Sequence, residues 1–154
     1  MTLIPVRLGG HTFSQKEKET RNLFIYMEDD KKVILIVEDE VPMLTILQEK
    51  ILASGYGVLT AKDGVEGLQL ATTHHPDIVL LDLLMPHMDG MSMLTKLRED
   101  LWGKHVPVII LTNVSPDTDT VLKAIMDTQP AYYFIKSDIK LSEVIEKIED
   151  ILKK

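Results

Sequence analysis

Four places in this sequence set a polar group able to do chemistry directly after a run of apolar residues. Glu38-Asp39 follows Lys32–Val37, and Asp82 follows Asp77–Leu81. Thr112 follows Val106–Leu111, and Lys136 follows Tyr132–Ile135. Carboxylates gathered in one place are a demanding arrangement. Two of them about 5 Å apart repel by roughly 3 kcal/mol at an effective dielectric near 20, so a cluster raises its own pKa values or recruits a cation. Hard oxygen donors with room for water suit Mg²⁺, which commonly binds through one or two carboxylates plus phosphate oxygens. A carboxylate such as Asp82 in that setting is a nucleophile toward phosphorus. The ammonium of Lys136 and the hydroxyl of Thr112 would stabilise the charge on a transferring phosphoryl group.

These residues meet only if the chain folds so as to bring the ends of its strands together. From Lys32 onward, apolar runs alternate with helical patterns, which implies a parallel sheet covered on both faces. Lys32–Val37, Asp77–Leu81 and Val106–Leu111 read as buried strands, Val58–Ala61 as a short one, and Tyr132–Ile135 as the fifth. Helices are predicted over Val41–Ser54 with Leu44, Leu47, Ile51 and Leu52 inward, over Val65–Thr73 despite Gly67, and over Met91–Leu101. Two more are predicted over Pro116–Asp127 and over Leu141–Leu152, the last with Leu141, Val144, Ile145, Ile148, Ile151 and Leu152 on one stripe. In an open parallel sheet, ligands bind beyond the carboxyl ends of the strands, where all four polar groups fall.

Bulk properties narrow the class. The 154 residues suit one domain, and a domain of that size needs neither disulfide nor structural metal to bury a core. The absence of cysteine excludes thiolate zinc sites and cysteine nucleophiles and fits a reducing, cytoplasmic setting. No apolar run approaches the roughly 18 residues of a membrane span. The formal net charge of −7 argues against direct nucleic-acid binding. Residues 1–31 carry no sustained period and are read as a flexible or non-native arm, with a short helix over Ser14–Met27 as the alternative; residues 32–154 form the domain.

Taken together, V-E-D-E (37–40), D-L-L-M-P-H-M-D-G (82–90), L-T-N (111–113) and Y-F-I-K (133–136) resemble the response-regulator receiver family of two-component signalling. The resemblance covers about four-fifths of the chain, and its specificity lies in the order and spacing of the pieces. It implies a flavodoxin-like, doubly wound α/β fold, with a five-stranded sheet of order 2-1-3-4-5 between two layers of helices. It also implies that Asp82 is the phosphoacceptor and that Glu38 and Asp39 hold Mg²⁺ with Asp82 and the backbone carbonyl of Leu84. Lys136 would pair with the phosphoryl group, Thr112 would donate its hydroxyl, and Tyr133 would be the aromatic switch. The implied partner is a histidine kinase or histidine phosphotransfer protein. Because the chain ends after its last helix, a stand-alone receiver is expected, signalling by protein contact or onward phosphotransfer and not acting as an enzyme on external substrates.

The pattern departs from the family around its last strand. Ser137 follows the lysine where the family usually has a proline in a cis peptide, Gln129-Pro130 replaces the usual Gly-Ala pair, and Asn113 replaces a small residue. These departures motivate a second reading, a phosphorylation-independent module that keeps the fold for protein binding. A third, a phosphate-ester hydrolase with Asp82 as nucleophile, is disfavoured because such enzymes often carry a second carboxylate two residues on, where this chain has Leu84. His74, His75 and His87 lack ligand spacing and read as structural. Met85, Met88, Met91 and Met93 read as core or loop packing, with any exposed ones forming an adaptable surface.

Overall fold

The computed structural model describes Lys16 and residues 31–153; the helix considered over Ser14–Met27 and the arm lie outside that range apart from Lys16 and Lys31. Five apolar runs form a single parallel sheet: β1 Val33–Val37, β2 Gly57–Ala61, β3 Ile78–Leu81, β4 Val108–Thr112 and β5 Tyr132–Ile135. Their order is β2-β1-β3-β4-β5, as the family resemblance implies. Every residue of β1, β3 and β4 is buried, which explains why these runs show no polar alternation.

The five connecting helices are α1 Val41–Ala53, α2 Gly64–His74, α3 Gly90–Glu99, α4 Asp119–Thr128 and α5 Leu141–Leu152. Alternate strand residues feed two cores. Ile34, Ile36, Ile78, Leu80, Ile109 and Leu111 pack with Leu44, Leu47 and Ile51 of α1 and Val144, Ile145 and Ile148 of α5. On the other face, Leu35, Val37, Val79, Leu81 and Ile110 pack with Ala71 of α2 and Met93, Leu94 and Leu97 of α3. Met85, Met88 and Met91 are half-buried against this second core, so the methionines near the site serve mainly as packing.

Most element ends shift by one or two residues from expectation, and the larger shifts have local causes. Helix α4 starts at Asp119, not Pro116, because the Thr118 hydroxyl caps it by accepting the Val121 amide at 3.3 Å. Helix α3 stops at Glu99, two residues short, because the Asp100 carboxylate accepts the amides of Trp102 and Gly103 and turns the chain away. Strand β4 begins at Val108, just past Pro107, and includes Thr112 as its last residue.

Gly67 does more than weaken α2. A Cβ there would lie 2.9 Å from Met93 Sδ and 2.9 Å from both Val37 methyls, so its absence lets α2 approach β1 and α3 closely. Gly67→Ala should therefore lower stability by up to about 2 kcal/mol, because overpacking costs about 1–3 kcal/mol against a helix-propensity gain of about 1 kcal/mol. Urea unfolding measures this, and an unchanged or higher midpoint would mean the layers separate at no cost.

Candidate functional site

The strand ladder continues one residue past the strand ends, and that extra rung places the chemistry. The Glu38 amide donates to the Ala61 carbonyl at 2.9 Å, the Asp82 amide to Val37 at 3.0 Å, and the Lys136 amide to Thr112 at 2.9 Å. Three polar residues from three separate strands are thus fixed by backbone bonds at the same rim.

Their side chains converge. Lys136 Nζ lies 2.6 Å from Glu38 Oε2 and 3.0 Å from Asp82 Oδ2, and its side chain is only 6% exposed. Glu38 and Asp82 are themselves 2% and 4% exposed. The second Glu38 oxygen accepts the Glu40 amide at 3.0 Å, and Asp82 Oδ1 accepts the Leu84 amide at a long 3.4 Å. Burial pushes the Glu38 carboxyl above the usual range, against the hydrogen bond from Lys136. Burial pulls Lys136 the other way, but its hydrogen bonds to Glu38 and Asp82 prevail and hold the ammonium above the ordinary lysine range. With two carboxylates in direct contact, the Lys136 ammonium stays charged.

The loop after Asp82 is seated by close approach. At Gly90, the first residue of α3, a Cβ would meet the Asp82 carbonyl oxygen at 2.1 Å, so no larger residue fits that turn. His87, in the left-handed region at φ 63°, sets Nδ1 3.0 Å from Asp63 Oδ2 and ties the loop to the cap of α2. His75 instead closes α2 and stacks on Trp102 at 4.5 Å, remote from this rim in role. The three histidines therefore form no cluster, as the sequence suggested.

Thr112 is fully buried, and its hydroxyl accepts the Val114 amide at 3.3 Å. The Tyr133 hydroxyl donates to the Val114 carbonyl at 2.7 Å. One peptide segment thus connects the two residues expected to switch, a link that spacing alone does not reveal. Burial and the Asp82 charge both push the Tyr133 phenol upward. The Lys136–Ser137 peptide is trans, since no cis bond occurs among the described residues.

Of the acids expected here, Glu38 and Asp82 meet, while Asp39 is half-buried and stands outside their grouping. Sequence reasoning missed Glu40. Its carboxylate joins Glu38 and Asp82 in a set whose oxygens all lie within 4.8 Å of one another, and it lies 3.9 Å from Lys136 Nζ. Its place one residue before α1 reads equally well as a solvated helix-terminal acid, so the signal was present but not distinctive.

Lys136→Met should cost about 3–5 kcal/mol near neutral pH in metal-free buffer, because it strands two buried carboxylates. The gap to wild type should narrow at both pH extremes. Toward acid, loss of the lowering contact from Lys136 lets the Glu38 carboxyl rise further in the variant, so protonation relieves its stranded charge more there than in wild type. Toward alkali, wild type loses the Lys136 contribution, which is full below the unfolded lysine pKa and vanishes as pH rises through the raised folded one. Urea midpoints across pH test this, and a gap constant with pH would show that the loss is packing rather than charge.

Comparison with known proteins agrees with this geometry. A family model described as the response regulator receiver domain matches residues 34–149. The chain is 40% identical over 91 residues to the alkaline phosphatase synthesis transcriptional regulatory protein PhoP of Bacillus subtilis, a match covering 59% of this chain and 37% of that protein. It is 37% identical over 81 residues to the polar-differentiation response regulator DivK of Brucella ovis, covering 53% and 66%. The chain therefore spans under two-thirds of the length of these curated relatives. Among solved structures, a CheY-like receiver domain protein from Methanospirillum hungatei superposes with TM-score 0.73 at 23% identity, over 80% of this chain and 95% of that one. The receiver domain of a sensor histidine kinase from Pseudomonas aeruginosa, solved with magnesium in its active-site cleft, gives TM-score 0.71 at 25% identity, covering 80% and 99%. The parallel sheet, the acidic rim with its buried lysine and the match over most of the chain agree, and the chain belongs to the response regulator receiver family.

Proposed function

We propose that this domain accepts a phosphoryl group on Asp82 from a phosphohistidine of a histidine kinase or phosphotransfer protein, and passes the signal on by protein contact. The observation that carries this reading is the buried Lys136 ammonium set between Glu38 and Asp82. It pairs directly with the acceptor carboxylate and stands ready to offset the charge that arrives. Asp82 Oδ1, engaged only by the long contact from Leu84, is the freer oxygen and the one to attack. The new O–P bond forms as the donor's P–N bond breaks, and the imidazole leaves with that electron pair.

The donor chemistry suits Mg²⁺. Buried carboxylate oxygens of Glu38 and Asp82 lie within a few ångströms of each other, with the half-buried Asp39 between them in sequence, and all are hard ligands. Glu38, Asp39, Asp82 and the Leu84 carbonyl would hold the ion, which when bound supplies positive charge to the phosphoryl oxygens. Thr112 would then turn its hydroxyl from the Val114 amide toward the phosphoryl group. Since Val114 also anchors Tyr133, that movement gives the aromatic ring a reason to shift. Leu84, exposed at the position where such hydrolases often carry a second acid, offers no acid/base group there, which supports a signalling acyl phosphate over a hydrolase.

Intact mass after incubation with Mg²⁺ and acetyl phosphate tests the reading. Wild type should gain one labile phosphoryl group and Asp82→Ala none. If wild type binds Mg²⁺ yet gains nothing, the domain instead works as a phosphorylation-independent binding module.

A further inference from the structure

We propose that Glu40 is a working member of the cation site, one that strengthens divalent binding and restrains acceptance of the phosphoryl group. The inference rests on the reading of the site as an Mg²⁺-dependent phosphoacceptor and adds to it a residue with two opposed effects. Glu38 and Asp82 are buried and fixed by the sheet, whereas the Glu40 side chain is 66% exposed at the mouth, where α1 begins. Its oxygen nonetheless lies 3.9 Å from Lys136 Nζ and within 4.8 Å of both buried carboxylates. Hydrogen bonding of its own amide to Glu38 holds its backbone in place beside them.

Charge counting shows why the effects oppose. Glu38, Glu40 and Asp82 with Lys136 carry a formal charge of −2, which a divalent cation brings to zero. Without Glu40 the same group starts at −1 and ends at +1 once the cation is bound. Asp39 lowers every one of these states equally and leaves the comparison unchanged. Removing the Glu40 charge thus makes the pocket less attractive to a cation and, when the cation is saturating, more attractive to an anionic phosphodonor. Lys136 feels the same balance, because loss of Glu40 leaves it to the two buried acids alone. Exposure of Glu40 screens both effects, which limits each to about three- to tenfold.

The test uses the full chain with Mg²⁺ alone as the first probe. Calorimetric titration should give a dissociation constant about three- to tenfold weaker for Glu40→Gln, and weaker again for Glu40→Lys. Glu49→Gln, which removes the same charge from the exposed far half of α1, should match wild type. At saturating Mg²⁺, both Glu40 variants should gain the phosphoryl group from acetyl phosphate faster than wild type, in the same order. If Glu40→Gln binds Mg²⁺ as Glu49→Gln does, the carboxylate is only a solvated helix-terminal acid and the proposal fails. Slower phosphorylation of the Glu40 variants at saturating Mg²⁺ would also overturn it. Absence of Mg²⁺ binding by wild type would instead defeat the underlying metal reading, an outcome distinct from either.

Discussion

A lysine ammonium buried between two carboxylates is the constraint from which the rest of the structure follows. Lys136, Glu38 and Asp82 come from three different strands, and each is nearly excluded from water. Separating any one of them would leave an uncompensated charge in the interior, at a cost of several kcal/mol. The sheet must therefore bring the ends of β1, β3 and β5 to one level. Pairing of Val37 with Leu81, of Leu81 with Ile110 and of Thr112 with Ile135 achieves this. One residue of slip in any strand would turn the polar group onto the other face.

That requirement divides the molecule into a rigid half and a loosely held half. The strands that position Glu38 and Asp82 are buried along their whole length, with α1, α2 and α3 packed over them. Strand β5 is half-buried throughout, and α4 buries only Thr128 while exposing Leu122 and Met126. Arg98 compensates at one end. Its guanidinium donates to the carbonyls of Gly103, Val106, Thr128 and Gln129, tying the end of α4 to the loop before β4. Few buried contacts on α4 imply low local stability, the property of an element that can move. Fixing α4 at its end while leaving its length lightly packed suits a part that shifts without unfolding.

Residue types revealed most of the first half and little of the second. Continuous β-branched runs such as Val33–Val37 cannot be surface strands, so their buried, parallel character was readable directly. Tyr132–Ile135 and Leu141–Leu152 appear at the expected bounds because aromatic strand and striped helix patterns are unambiguous there. The strand order came from resemblance, not from periodicity. The start of α4 was misplaced because Pro116 looks like a helix opener, and only the geometry of Thr118 shows which residue caps it. Glu40 was passed over because an acid before a helix has an ordinary explanation. The Thr112–Val114–Tyr133 connection runs through backbone groups, which carry no residue-type signature at all.

On the proposed phosphoacceptor chemistry, the energetics of switching can be bounded from these same contacts. Moving a two-state equilibrium from mostly off to mostly on takes about 5.5 kcal/mol of differential interaction. Hydrogen bonds to a charged group contribute about 1.5–3 kcal/mol each, so two to four of them must form anew. Lys136 supplies little of this total, because its ammonium already bonds to Glu38 and Asp82 before any phosphoryl group arrives. Thr112 would exchange a neutral, lengthened contact at 3.3 Å for a charged acceptor, a net gain. The remainder has to come from backbone amides of the acceptor loop, where the Leu84 amide at 3.4 Å from Asp82 Oδ1 has room to tighten. On the proposed chemistry, then, the driving force lies less in the lysine that defines the site than in the weak contacts around it.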